Sequence, residues 1–172
     1  IIFLLLRFSL FLFLVANIMA AWHAYKFTHY QKGAVLISKT PEGLSIQQKV
    51  EALCTGVSLP RPETKDFPDT IFCDEMVDNQ LACWRIDVPH SKGTVLLFHG
   101  YGSEKSSVIG KSQEFNRLGY STFLVDFRGS GGSVGNNTTI GFKEAEDVKK
   151  CYDFIQKDHP PSIILCGTSM GA

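Results

Sequence analysis

A serine with a glycine two residues to either side, Gly167-Thr168-Ser169-Met170-Gly171, is the arrangement in this chain best suited to covalent chemistry. It directly follows the apolar run Ile163-Ile164-Leu165-Cys166, so Ser169 is expected at a sharp turn off the end of a strand. Side chains at 167 or 171 would collide in such a turn, which accounts for glycine at both places. The turn is expected to open into a helix, whose first N–H groups lack intrahelical partners. The Met170 N–H would then face negative charge developing on a carbonyl oxygen attacked by Ser169. The chemistry this pattern predicts is nucleophilic acyl transfer.

Two further loops have the same character. His99-Gly100-Tyr101-Gly102 follows the apolar run Thr94 to Phe98. Glycine there allows the backbone to approach a substrate closely, and the Tyr101 N–H is the candidate second donor to the oxyanion. His99 is expected to shape this loop rather than to act as a base. Asp126-Phe127-Arg128-Gly129-Ser130-Gly131 follows the apolar run Ser121 to Val125. Asp126 and Arg128 are expected to hold that loop through charge-assisted hydrogen bonds, a structural role.

The elements that position these loops follow from the hydrophobic pattern. Three uninterrupted apolar runs, 94–98, 121–125 and 163–166, suit strands buried on both faces of a sheet. Helices are expected between them at 106–118 and 142–157, the second with Phe142, Ala145, Val148, Tyr152 and Ile155 on its apolar face. Upstream, 70–73 and 81–88 read as strands around a turn at Asp78-Asn79-Gln80. Strands alternating with helices predict an α/β domain with a mostly parallel sheet and helices on both faces. In such sheets ligands sit at the carboxyl ends of the strands, where all three loops lie.

HGYGS, then DFRGSGGS, then GTSMGA, in this order and each after a buried strand, resembles the α/β-hydrolase superfamily, and more narrowly its membrane-anchored lipase, esterase and serine-aminopeptidase-like members. The resemblance covers about residues 70–172. It implies Ser169 as nucleophile and the Tyr101 and Met170 backbone amides as the oxyanion hole. His99, Gly100, Gly102, Gly167, Gly171, Asp126 and Arg128 would support them. It also implies an acid and a histidine from loops C-terminal to the nucleophile. Chain order in the superfamily is serine, acid, histidine, so neither is expected within this chain. The chain therefore reads as an N-terminal piece, truncated after the nucleophile strand and by itself inactive. The intact protein would cleave an ester, thioester or amide of a small or lipid-like acyl substrate. No metal or organic cofactor is implied. The competing reading is a catalytically silent hydrolase fold serving as a binding or adaptor module at the membrane.

Composition narrows the field. Seventeen basic residues balance seventeen acidic ones, so there is no electrostatic case for nucleic acid as a partner. At 44% hydrophobic and 20% charged, the chain is too apolar to be disordered. Of the five cysteines, which form no CxxC, most read as buried, reduced thiols. Gly110-Lys111-Ser112 resembles the end of a phosphate-binding loop, but Lys105 stands where that motif needs glycine. Asn136-Asn137-Thr138-Thr139 holds two overlapping glycosylation sequons, relevant only in a glycosylating compartment.

Residues 1–22 are apolar apart from Arg7, and are expected to form a single-pass membrane anchor. A cleaved signal core, giving a secreted or periplasmic protein, is the other reading, and a buried core helix the third. Lys26, Lys32 and Lys39 follow before any acid and favour the cytoplasm for that side. Residues 23–69 read as a juxtamembrane stalk. One short helix is expected in it, capped by Ser45 and Gln48, with Ile46, Val50 and Leu53 on one face and a stop at Gly56. Residues 70–172 are the N-terminal half of the hydrolase domain.

Overall fold

The computed structural model describes residues 1–31, 33 and 41–172. Lys32 and Lys39, which entered the orientation argument, lie outside the described residues. The chain divides into two compact units, Ile1–Pro60 and Arg61–Ala172.

The first unit holds two helices. Helix α1 spans Ile2–Thr28, continuing past the apolar run, and none of its residues is buried. Its length and a mean hydropathy of 2.3 are sufficient to cross a membrane. Helix α2 spans Ile46–Thr55. Both halves of the expected capping box are present: the Gln48 N–H donates to Ser45 Oγ, and the Ser45 N–H donates to Gln48 Oε1. Gly56 ends the helix at a φ of 74°, where glycine is unstrained.

The second unit is built on five strands: β1 (Cys73–Val77), β2 (Leu81–Ile86), β3 (Thr94–Phe98), β4 (Ser121–Val125) and β5 (Ile163–Gly167). Their order is β1-β2-β4-β3-β5. The sheet is mixed. β4, β3 and β5 run parallel, while β1 and β2 form an antiparallel hairpin beside β4. Strand β1 starts three residues later than the sequence pattern suggests. The turn at 78–80 fixes the hairpin register, pairing Val77 with Leu81 and Cys73 with Arg85, so the residues just before the turn must form the strand.

Because successive strand residues face opposite ways, the sheet has two cores. Leu81, Cys83, Leu96, Phe98, Phe123 and Val125 pack on one face. Trp84, Ile86, Val95, Leu97 and Leu124 pack on the other. This is why β3 and β4 are apolar at consecutive positions. Each large aliphatic or aromatic side chain buried this way contributes about 1.5–3 kcal/mol.

Helix α3 (Ile109–Arg117) and helix α4 (Glu144–Gln156) take opposite faces, Ile109 and Phe115 joining the Trp84 core and Cys151 and Ile155 the Phe98 core. Right-handed crossovers require this: β4 lies to one side of β3, and β5 to the other. β3 is therefore the point where the strand order reverses, and the crevice above its carboxyl end is where such sheets bind ligands.

Both helices are shorter than their sequence patterns. A 3₁₀ turn occupies Lys105–Val108, held by the Glu104 side chain accepting from the Ser106 N–H, and α3 begins only after it. α4 begins at Glu144 because Ile140 and Gly141 adopt positive φ values of 54° and 103°. Its buried stripe is also rotated from the expected one. Phe142 is 81% exposed, and the inward positions are Glu144, Asp147, Cys151 and Ile155. Two of these are carboxylates satisfied by hydrogen bonds, which a purely apolar pattern does not register. The cysteines differ similarly from expectation. All five are free thiols, but only Cys83 and Cys151 are buried, whereas Cys54 and Cys73 are exposed.

Candidate active site

Ser169 stands at the carboxyl end of β5 with a φ of 53°, in the left-handed region that L-residues avoid. A one-turn 3₁₀ segment, Ser169–Gly171, follows immediately, with the Gly171 N–H donating to Thr168 O and the Ala172 N–H to Ser169 O. Neither bond uses the Met170 N–H. The flanking glycines are sterically required. A Cβ on Gly167 would lie 1.8 Å from Gly171 O, and one on Gly171 would lie 2.8 Å from His99 O. No side chain fits at either position without moving backbone. The serine itself is exposed.

The parallel register brings the first loop alongside. Phe98 pairs with Gly167, and the Thr168 N–H donates to Phe98 O at 3.1 Å. A Cβ on Gly100 would stand 3.5 Å from Ser169 Cβ, so the His99-Gly100-Tyr101 backbone runs directly beside the serine. Tyr101 is half-buried, and Gly102, with a φ of 67° and open space around it, turns the chain away.

His99 is fully buried behind this loop. Its Nδ1 lies 2.8 Å from Gly100 O and its Nε2 lies 3.1 Å from the Phe127 N–H. The carbonyl can only accept and the amide can only donate, so the ring is neutral, with its proton on Nδ1. Both nitrogens are engaged in joining the β3 loop to the β4 loop, which leaves neither for deprotonating Ser169. Burial holds the imidazole pKa below its ordinary value.

Asp126 and Arg128 anchor loops, but not by pairing with each other. Asp126 is fully buried, and its carboxylate accepts from the Lys105 N–H at 2.7 Å, Lys105 Nζ at 2.5 Å and the Gly132 N–H at 2.8 Å. Lys105 is 4% exposed and its Nζ also sits 4.6 Å from the centre of the Trp84 ring. This pair fixes the end of the oxyanion-candidate loop to the end of β4. Arg128 instead makes a two-pronged contact with Asp147 of α4, at 2.9 and 2.7 Å.

Three positioning groups escaped the sequence reading. Lys105 carries no motif. Arg61, in the segment read as stalk, donates to the carbonyls of Gly131, Ser133 and Gly135 and so braces the glycine-rich loop after β4. Glu144 is 1% exposed and accepts from Thr138 Oγ1, the Thr139 N–H, Thr139 Oγ1 and the Gly141 N–H. Thr138 also contacts Met170 Sδ at 3.4 Å, linking this cluster to the serine turn. The sequon threonines are thus internal hydrogen-bond donors. Lys111 and Ser112, read for a phosphate loop, lie within α3. Ser112 is buried against Thr122, and Lys111 Nζ reaches Thr168 Oγ1 at 2.7 Å.

These environments predict acid lability. Burial raises the Glu144 pKa, but hydrogen bonds from Thr139 and Thr138 outweigh it and the net shift is downward. Unfolding lets His99 take a proton below about pH 6.5 that the folded state refuses, so stability falls as pH drops through that value. Glu144 adds a second loss below about pH 4.3, where its unfolded form protonates first. Urea midpoints measured from pH 8 downward should decline in both windows. His99→Asn keeps a donor and an acceptor but no titrating group, and should flatten the upper window. An unchanged profile in that variant would refute the assignment.

Residues 89–172 match the model of a family described as serine aminopeptidase, S33. An esterase from Pyrococcus furiosus is similar at 30% identity and a TM-score of 0.57, over 67% of this chain and 49% of that one. Another crystal form of that esterase matches at 28% identity and 0.52, over 64% and 47%. An alpha-beta serine hydrolase homologue from Coxiella burnetii shares the fold at 20% identity and 0.51, over 63% and 55%. The chain spans about half the length of these proteins. No curated protein matches it significantly. By its sheet order, its strand-end loops and these likenesses, the chain has the α/β-hydrolase fold.

Proposed function

We propose that the protein is a serine hydrolase that cleaves an ester, thioester or amide through an acyl-enzyme on Ser169. The observation that carries this reading is the strained serine, with a φ of 53° between two glycines that tolerate no side chain. Strain of this kind is retained where function requires it. Ser169 Oγ attacks the acyl carbonyl, and the Tyr101 and Met170 amides stabilise the tetrahedral oxyanion. Its collapse breaks the bond to the leaving group, which departs as an alcohol, thiol or amine with the proton from Ser169, and water then hydrolyses the acyl-enzyme to the acid and free serine. In this reading the histidine base and its carboxylate partner follow Ser169 in the longer protein. The similarity to an esterase supports a small-molecule or lipid-like acyl substrate, and α1 supports action at a membrane.

The test is a fluorophosphonate probe on the full-length protein, with the modified peptide located by mass mapping. Labelling at Ser169 is expected. A folded protein that takes no label there would overturn the reading in favour of a silent binding module.

A further inference from the structure

Among its described residues, the first unit leaves an apolar surface uncovered. In α2, Ile46, Val50 and Leu53 are 82%, 55% and 63% exposed. At 100° per residue they share an arc of about 60°. Gln48 and Ala52, on the other side, are the half-buried positions. The helix therefore packs by its polar and small side and presents its aliphatic side outward, the reverse of a helix in a soluble core.

Its attachment to α1 says what lies there. Trp22 Nε1 donates to Thr55 O at 2.7 Å, and the His23 ring nitrogen meets Leu53 O at 2.9 Å. A Cβ on Gly56 would touch the Lys26 side chain at 3.3 Å. Helix α2 thus joins α1 at Trp22 to Lys26, where the apolar run gives way to an aromatic, a histidine and a lysine. In a spanning helix that is the level of the headgroups. Lys49 borders the aliphatic arc and can snorkel to phosphates, whereas Glu51 points to the far side.

We propose that α2 is an interfacial membrane helix whose Ile46, Val50 and Leu53 side chains rest at the headgroup–acyl boundary of the bilayer that α1 enters. The proposal rests on α1 being a membrane span. Three aliphatic side chains would bind a bilayer weakly on their own, but α1 holds them beside it at high effective concentration. The stalk is then a second membrane contact that limits how the chain leaves the surface.

The test uses the full-length protein in vesicles of phosphatidylcholine and phosphatidylglycerol. Cys54 and Cys73 are replaced by serine, and single cysteines are placed at Val50, Leu53 and, for reference, Glu51. Cysteines at 50 and 53 are expected to react with a water-soluble maleimide about tenfold more slowly than the one at 51, and a fluorophore on them should be quenched by nitroxide-labelled acyl chains. Equal reactivity at all three, with the protein still resisting carbonate extraction, would overturn the proposal while leaving the anchor intact. Protection without nitroxide quenching would mean that protein covers the face, and also overturns it. Release of the protein by carbonate would refute the anchor and the proposal together.

Discussion

Replacing Ser169 by glycine is expected to make the protein more stable while abolishing the proposed hydrolytic activity. The serine sits at a φ of 53°, a conformation that costs an L-residue about 1–2 kcal/mol and glycine almost nothing. Glycine returns part of that gain by loosening the unfolded chain, by about 0.4–1 kcal/mol. The net gain is about 0.5–1 kcal/mol, a rise of a few degrees in melting temperature for a domain of this size. Activity should fall by about 10⁴-fold or more, because no hydroxyl remains to form the acyl-enzyme. Ser169→Ala separates the two effects: alanine keeps the Cβ and the strain, so it should lose the same activity without the added stability. Equal melting temperatures for the two variants would show that the backbone there stores no strain. Residual turnover in both would show that the nucleophile is elsewhere.

Much of this site was readable because its constraints are local. The run Thr94 to Phe98 and the run Ser121 to Val125 are strands at those bounds, since uninterrupted apolar residues between glycines or hydroxyls leave little other choice. The glycine at 167 reports a collision with Gly171, within five residues of chain, and the capping box at Ser45 is equally local, whereas Gly171 clears the distant end of β3 at Phe98 and His99. What sequence hid was long-range and polar. Lys105 and Asp126 are 21 residues apart, and Arg61 reaches carbonyls 70 to 74 residues away. A buried carboxylate such as Glu144 or Asp147 looks like a solvated one until its partners are known, which is why the expected apolar face of α4 shares Ile155 with the inward stripe but is rotated from it. The pairing of Asp126 with Lys105 rather than Arg128 belongs to the same class.

That hidden pair is the source of the other large effect. Lys105→Met should destabilise the protein by about 3–5 kcal/mol, and Asp126→Asn by a similar amount, because each leaves the opposite charge buried without its partner. The contact is short, at 2.5 Å, with both side chains at least 95% shielded from water. The double variant, Lys105→Met with Asp126→Asn, should lose much less than the sum of the two, since it removes both charges; the single asparagine Oδ1 still accepts from one of the two backbone amides, of Lys105 and Gly132, that the two carboxylate oxygens hold. Chemical denaturation of the four proteins measures the coupling directly, and strictly additive losses would refute it. The consequence for activity follows from the same geometry. Lys105 closes the loop that begins at His99 and carries Tyr101 past Ser169, so a loop released from Asp126 would hold the proposed oxyanion donor less accurately. In the double variant kcat should therefore fall about tenfold or more with KM nearly unchanged, the signature of a group that acts on the transition state through its position. A structural pair with no bearing on the oxyanion loop would lower stability and leave kcat of the folded fraction as it was.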